Sequence, residues 1–239
     1  MIITSEAIVI SSLKYGDSHL IVHLYTEASG LRSYLIRGVL KSKKGRMRAS
    51  LFQPLTILDI VASHKDKGNL ERLREAKIGM PYKTIHTDFI KNSIVFFIAE
   101  IIKNSVKEEE SNPSLFNYIK TSLTWLDVHH EVANFHVTFT VKLTQYLGFY
   151  PDTSTKKTEY FNLMTGNFQD TYESGHTRRG EAIEAFKLFL GTNFDDCNRI
   201  KLTRAMRNEI LEVMLLYFEL HLHGFKKPKS LQVLNEIFK

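Results

Sequence analysis

Arg37-Gly38-Val39-Leu40-Lys41-Ser42-Lys43-Lys44-Gly45-Arg46-Met47-Arg48 interrupts a succession of strand-like runs, and the place of the interruption decides the fold. Before it stand Ala7-Ile8-Val9-Ile10, Leu20 to Tyr25 and Leu31 to Arg37. After it, past Gln53-Pro54, come Leu55 to Ala62 and Asn69 to Ile78. Turn residues separate the runs at Tyr15-Gly16-Asp17-Ser18, Glu27-Ala28-Ser29-Gly30 and Lys65-Asp66-Lys67-Gly68-Asn69, because Gly, Asp, Asn and Ser accept the backbone angles of tight turns. Five short strands with one long connection between the third and the fourth is the pattern of an OB-fold barrel. An SH3-like barrel is the structural alternative, and closure is an inference, since Leu20 to Tyr25 is largely apolar on both faces.

The same stretch sets six cationic side chains in twelve residues with no carboxylate among them. A loop held at both ends by a sheet is a usual place for function. A solvated charge run is the bland reading, since like charges repel and extend a chain. The distribution of charge favours the functional one. Residues 1–80 hold 13 Lys+Arg against 7 Asp+Glu, and residues 81–239 hold 19 against 19, so the whole formal excess of +6 lies in the first third. A neutral body with a basic module suits a polyanionic partner, nucleic acid before membrane, because no basic amphipathic helix or lipidation signal accompanies it.

With 239 residues, 43% of them hydrophobic, the chain can build two cores. We expect a barrel domain over residues 1–80 and an α-helical domain over 81–239, an α+β arrangement. The single cysteine, Cys197, excludes a disulfide framework and any multi-cysteine metal site. The N-terminus lacks the features of a secretory signal and no segment has the apolar length of a membrane span, which leads us to expect a cytoplasmic protein.

After Met80-Pro81 the apolar period changes to 3.6. Helices are expected at Phe89 to Ile102 with Asp88 as cap, Leu115–Leu126, Val132–Leu147 ending at Gly148, Glu181–Leu190, Thr203 to His221, and Ser230–Phe238 with Ser230 as cap. Residues 152–179 form an irregular insertion, with a short hairpin from Tyr160 to Phe168. Glu108-Glu109-Glu110 reads as a solvated loop between helices.

Enzyme constellations fail on inspection. There is no phosphate-binding Gly-Lys-Ser/Thr loop and no Gly-x-Ser-x-Gly elbow, and His130-Glu131-Val132-Ala133-Asn134 has Asn where a zincin needs its second His. His129, His130 and His136 read as surface or boundary residues of a helix start, and His221 and His223 as a helix end. Asp195-Asp196 beside Cys197 would raise its pKa, against a catalytic thiolate. Asp17, Glu27 and Asp59 could serve a metal-dependent nuclease only if folding gathered them, and their spacing gives no sign of it.

Binding remains. Single-stranded nucleic acid asks for cations that track phosphates and flat rings that stack on bases. Lys14, Arg32 and Arg37 lie near Tyr15 and Tyr34 on or beside the expected strands, with Lys41, Lys43, Lys44, Arg46 and Arg48 in the loop. Each tyrosine fits a core position as well as a stacking one. A non-catalytic adaptor that grips an acidic protein partner is the competing reading.

Tyr15-Gly16-Asp17-Ser18-His19-Leu20-Ile21-Val22, Thr26 with Gly30, Ile36-Arg37-Gly38-Val39, Lys43 to Arg48 and Phe52-Gln53-Pro54 together resemble the first domain of the bacterial recombination mediator family RecO. Leu147-Gly148-Phe149-Tyr150-Pro151 and Lys227-Pro228-Lys229-Ser230-Leu231 continue the resemblance more weakly. It implies an OB-fold on an α-helical domain and a non-catalytic part in DNA repair and recombination. Such proteins bind single- and double-stranded DNA and anneal complementary strands. With RecR they help RecA displace single-strand-binding protein (SSB), whose C-terminal tail they bind through the helical domain. The resemblance places Arg37, Lys41, Lys43, Lys44, Arg46 and Arg48 in the DNA-contacting region. An acidic tail ending in an apolar carboxylate wants cations beside an apolar cleft, for which Phe225, Lys226, Lys227 and Lys229 are the candidates. Many members carry a four-cysteine zinc site after the Leu-Gly-aromatic-x-Pro segment. Residues 152–173 here hold no cysteine, so no cofactor is expected and Tyr160, Phe161, Leu163 and Phe168 are expected to form an apolar cluster instead.

Overall fold

A computed structural model describes residues 1–41, 47–65, 70–107 and 109–237. The strands β1 (Ile2–Tyr15), β2 (His19–Thr26), β3 (Gly30–Ile36), β4 (Ile57–Ser63) and β5 (Arg72–Met80) form one antiparallel sheet in the order β3-β2-β1-β4-β5. β1 is long enough to serve two neighbours, pairing Ile2 to Ile8 with β4 and Ala7 to Tyr15 with β2. A register shift between Val9 and Ser11 bends it, as a bulge at a barrel corner does. The sheet closes on itself through a parallel bridge between Tyr34 and Glu71, where Glu71 N–H donates to Ser33 O at 2.8 Å and Leu35 N–H to Glu71 O at 3.2 Å. Closure of the third strand onto the fifth is the OB-fold arrangement, and the SH3-like alternative falls away.

Period-2 alternation fills the barrel. Ile3, Ala7 and Val9 of β1, Leu20, Val22 and Leu24 of β2, Tyr34 and Ile36 of β3, and Leu58, Ile60 and Ala62 of β4 share one core with Phe52 of a 3-10 turn (Ala49–Phe52). The reverse face of β2 is apolar for its own reason. Tyr25 is fully buried there and its ring lies 6.1 Å from that of Phe116, which belongs to a helix.

Seven helices follow among the described residues: α1 (Phe89–Ser105), α2 (Pro113–Val128), α3 (Phe135–Tyr146), α4 (Glu181–Phe189), α5 (Phe194–Cys197), α6 (Arg204–His221) and α7 (Leu231–Ile237). The expected caps act in part. Asp88 accepts the Lys91 N–H and Gly148 adopts a left-handed φ of 83°. Thr203, expected inside α6, caps it by accepting the Met206 N–H. Ser230 instead gives its hydroxyl and its N–H to Glu100 Oε2, at 2.7 and 2.9 Å. None of these helices is long and apolar enough to cross a membrane.

Two compact units result. The first comprises residues 1–87 and 106–127, the second 88–105 and 128–239. A linear boundary at residue 80 thus differs from the packing by one helix, since α2 belongs almost entirely to the barrel unit. Lys120 of α2 pairs with Glu6 of β1 at 2.5 Å. At its end Asp127 accepts the backbone N–H groups of Lys83, Thr84 and Ile85 at 2.8 to 3.1 Å. Burial raises that carboxyl, and these hydrogen bonds more than offset it, holding the net below the ordinary carboxylate range.

In the second unit, β6 (Tyr160–Asn162) pairs with β7 (Phe168–Gln169) as the expected hairpin, and β8 (Thr177–Arg178) adds a third strand. Phe161 lies 4.9 Å from Phe168 and 5.2 Å from Phe186 of α4. His136 is a correction: it is not a boundary residue but fully buried in α3, edge-on to Phe97. Burial first, and the charge of Arg207 second, pull its pKa down to about 3.

Candidate nucleic-acid interface

One end of the barrel collects exposed cations by a backbone device. Gly38, at φ 70°, turns the chain leaving β3 so that its N–H donates to His19 Nδ1 at 2.9 Å, and Leu40 N–H donates to Ser18 O at 3.1 Å. A residue with a Cβ would be strained at that φ. The turn is thereby pinned to the β1–β2 hairpin, with Val39 buried as its plug. Arg37 and Lys41 stand exposed on either side of it, near Lys14 and Tyr15 at the end of β1, where Lys14 pairs with Leu20 and Leu20 with Ile36. Arg48, also exposed, reappears just before the 3-10 turn. Lys43, Lys44 and Arg46 lie outside the described residues.

Two expected contacts belong elsewhere. Tyr34 is fully buried, and its hydroxyl is 2.7 Å from His64 Nε2, so its ring cannot stack on a base. Burial pushes its phenol above the usual range. Tyr15 is 53% exposed and keeps the stacking option. Arg32 sits at the other end of β3, where its Nε donates to Ser29 O and its guanidinium meets Glu109. It holds a turn, not the cationic end.

Alongside the closing bridge lies a groove of about 940 Å³ between β3 and β5, lined by Leu35, Arg37, Met47, Lys65, Leu70, Arg72 and Arg74 among others. Lys65, Arg72 and Arg74 are exposed there and are not among the cations expected from the sequence. Their signal was present: Arg72-Leu73-Arg74 alternates charge and apolar side chain at period 2, which puts Leu73 in the core and both arginines on the outer side.

The nuclease carboxylates are not gathered. Asp17 and Glu27 lie in the turns at opposite ends of β2, and Asp59 pairs with Lys77 at 3.5 Å. No group among the described residues is placed to hold a metal ion. Cys197 is buried, and burial first, with Asp195 and Asp196 adding, raises its thiol pKa, against a thiolate nucleophile.

Zinc does not fit the insertion, whose donor set has no thiol. In its place Asn162, 2% exposed, donates to Gln169 Oε1 at 3.1 Å and Glu173 Oε2 at 3.0 Å while its own oxygen accepts the Met164 N–H. Gln169 Nε2 donates to Glu173 Oε1 and to Thr171 O, and Glu173 O accepts the Thr177 hydroxyl. Side-chain amides and one carboxylate thus join the turn after β6 to the turn before β8. Lys187 of α4, nearly buried, donates to Thr158 O at 2.8 Å and ties down the polar lead-in.

The SSB-tail candidates divide likewise. Phe225 is packed against Phe218 with ring centroids 5.3 Å apart, Lys227 is shared by Glu212 and Glu219 at 3.7 Å each, and Lys226 and Lys229 are exposed.

The family model for Recombination protein O N terminal matches residues 1–82, and that for Recombination protein O C terminal matches residues 86–232. Proteins named DNA repair protein RecO are similar over the full length of both chains: 48% identity for that of Christiangramia forsetii, 44% for that of Flavobacterium psychrophilum and 34% for that of Bacteroides fragilis.

Proposed function

We propose that this chain, which belongs to the RecO family of DNA repair proteins, is a non-catalytic DNA-binding mediator of recombination. It binds single- and double-stranded DNA through the basic end of its barrel, anneals complementary strands, and acts with RecR to bring RecA onto SSB-coated single strands in the bacterial cytoplasm, at the nucleoid. The observation that carries this reading is the convergence of Lys14, Arg37 and Lys41 on one pinned barrel end, from which the rest of the basic stretch departs. Phosphate contacts are sequence-blind and release counterions, so charge alone can supply strand-tolerant binding.

For an acidic tail such as that of SSB, a cleft of about 470 Å³ at the start of α3 is a better match than residues 225–229. Ile90, Val132, Ile200 and Leu202 give it an apolar lining beside Lys201 and Arg207, whereas Lys227 already has two carboxylates. No metal is assigned to the insertion.

Titration of a labelled oligonucleotide at several salt concentrations tests the central claim. About five phosphate contacts give a slope of log K against log salt near −3.5 for single strands. A flat dependence, or failure to speed annealing of bare and SSB-coated complementary strands, would remove the reading.

A further inference from the structure

We propose that the groove between β3 and β5 is a single-strand track, in which Arg72 and Arg74 hold successive phosphates and Leu35, Leu70 and Met47 receive the bases. It rests on the DNA-binding reading and goes beyond it, because Lys65, Arg72 and Arg74 all lie outside the 37–48 stretch that the resemblance places in the DNA-contacting region.

Geometry supplies the first argument. The barrel closes at the Tyr34–Glu71 bridge, and just past it Leu35 to Arg37 and Arg72 to Arg74 form the two walls of the groove. Leu73 is buried in the barrel and the β4–β5 register shift falls at Arg74, so Arg72 and Arg74 both stand exposed on the β5 wall, one on each side of Leu73. Two cations fixed on one wall set a register, whereas a lone cation fixes none.

Charge supplies the second. Arg37 lines the other wall and Lys65 adds a fourth cation, while Glu71 is the only carboxylate in the lining among the described residues. Glu71 is 6% exposed, and both its oxygens accept the Lys65 N–H, at 3.0 and 2.9 Å. Among the described residues, Arg72 and Arg74 have no carboxylate partner. The occupant is therefore a polyanion.

The third argument separates one strand from two. Leu70 is 43% exposed, and Leu35 and Met47 are part-exposed beside it, an aliphatic surface among the cations. Unpaired bases can lay apolar faces on such a surface without a base-specific hydrogen bond, as a sequence-tolerant binder requires. A duplex keeps those faces stacked inside and offers only groove edges and phosphates.

The test compares the full-length protein with its Arg72→Ala/Arg74→Ala and Arg72→Lys/Arg74→Lys variants, using labelled oligo-dT and a duplex of equal length across a salt series. Both side chains are exposed, so folding should survive, and thermal melting checks it. Losing two contacts should flatten the single-strand slope by about 1.4 and weaken binding about 25-fold at about 0.1 M salt, with the lysine variant keeping the wild-type slope. Duplex binding should stay near wild type. An alanine variant with the wild-type slope on oligo-dT overturns the track, as does an equal loss on duplex. If the wild-type protein itself fails to bind DNA, the DNA-binding reading fails, and the track with it.

Discussion

His136 carries a pH dependence into the core of the second unit. Its folded pKa, about 3, lies below the 6.5 of a free imidazole, so the unfolded chain binds a proton that the folded one refuses. Stability is therefore complete above pH 6.5 and falls as pH drops towards 3, by about 1.4 kcal/mol per unit inside that window. Urea unfolding at pH 6.5 and at pH 5 should differ by about 2 kcal/mol, and the difference should shrink in His136→Gln; equal slopes in the two proteins would refute the assignment. The sequence could not announce this, because His129, His130 and His136 look alike as letters and only packing against Phe97 separates the third. Tyr34 teaches the same lesson at the barrel. Its place in an alternating strand was legible, but the partner that makes it a core residue, His64, lies thirty positions away.

At the scale of elements, the clasp of Asn162, Gln169 and Glu173 joins the turn after β6 to the turn before β8 through side-chain amides and one carboxylate. Truncating Asn162, which is itself buried, removes its hydrogen bonds to Gln169, Glu173 and Met164 at once. Asn162→Ala should cost about 2–3 kcal/mol, read as a lower melting temperature, while a chelator such as EDTA should leave the wild-type curve unmoved. A chelator-induced drop would restore metal to the site. Absence of thiols was plain in the sequence, and so were Phe161 and Phe168 as a cluster; the clasp was not, because Asn, Gln and Glu spaced by 7 and 4 residues match no recurring pattern. Strand runs before residue 80 and long helices after it were legible from their periods. β8, with two residues, and α5, with four, are too short to show a period at all.

For the whole molecule, the decisive feature is that each unit is built from two separate pieces of chain. Length and composition suggested two cores in series, and periodicity cannot say which core a helix joins. α2 joins the barrel because Phe116 meets Tyr25 and because Asp127 satisfies three N–H groups just after β5. A fragment of residues 1–80 loses all of these. It should unfold at lower urea than the barrel does in the intact protein, by about 3 kcal/mol or more, followed by circular dichroism and by the fluorescence of the barrel tyrosines. A fragment as stable as the parent would show α2 to be dispensable.

The interleaving also sets an order of events at the ribosome. Domains tend to fold as units while the chain emerges, N-terminal part first. Here all five strands are synthesised before α2, so the nascent barrel waits with Tyr25 uncovered until residues 113–127 have emerged. α1, made in that interval, must wait longer still, since its companions begin only at residue 128. Translation speed across residues 88–127 is thus a quantity to which the yield of native protein should be sensitive.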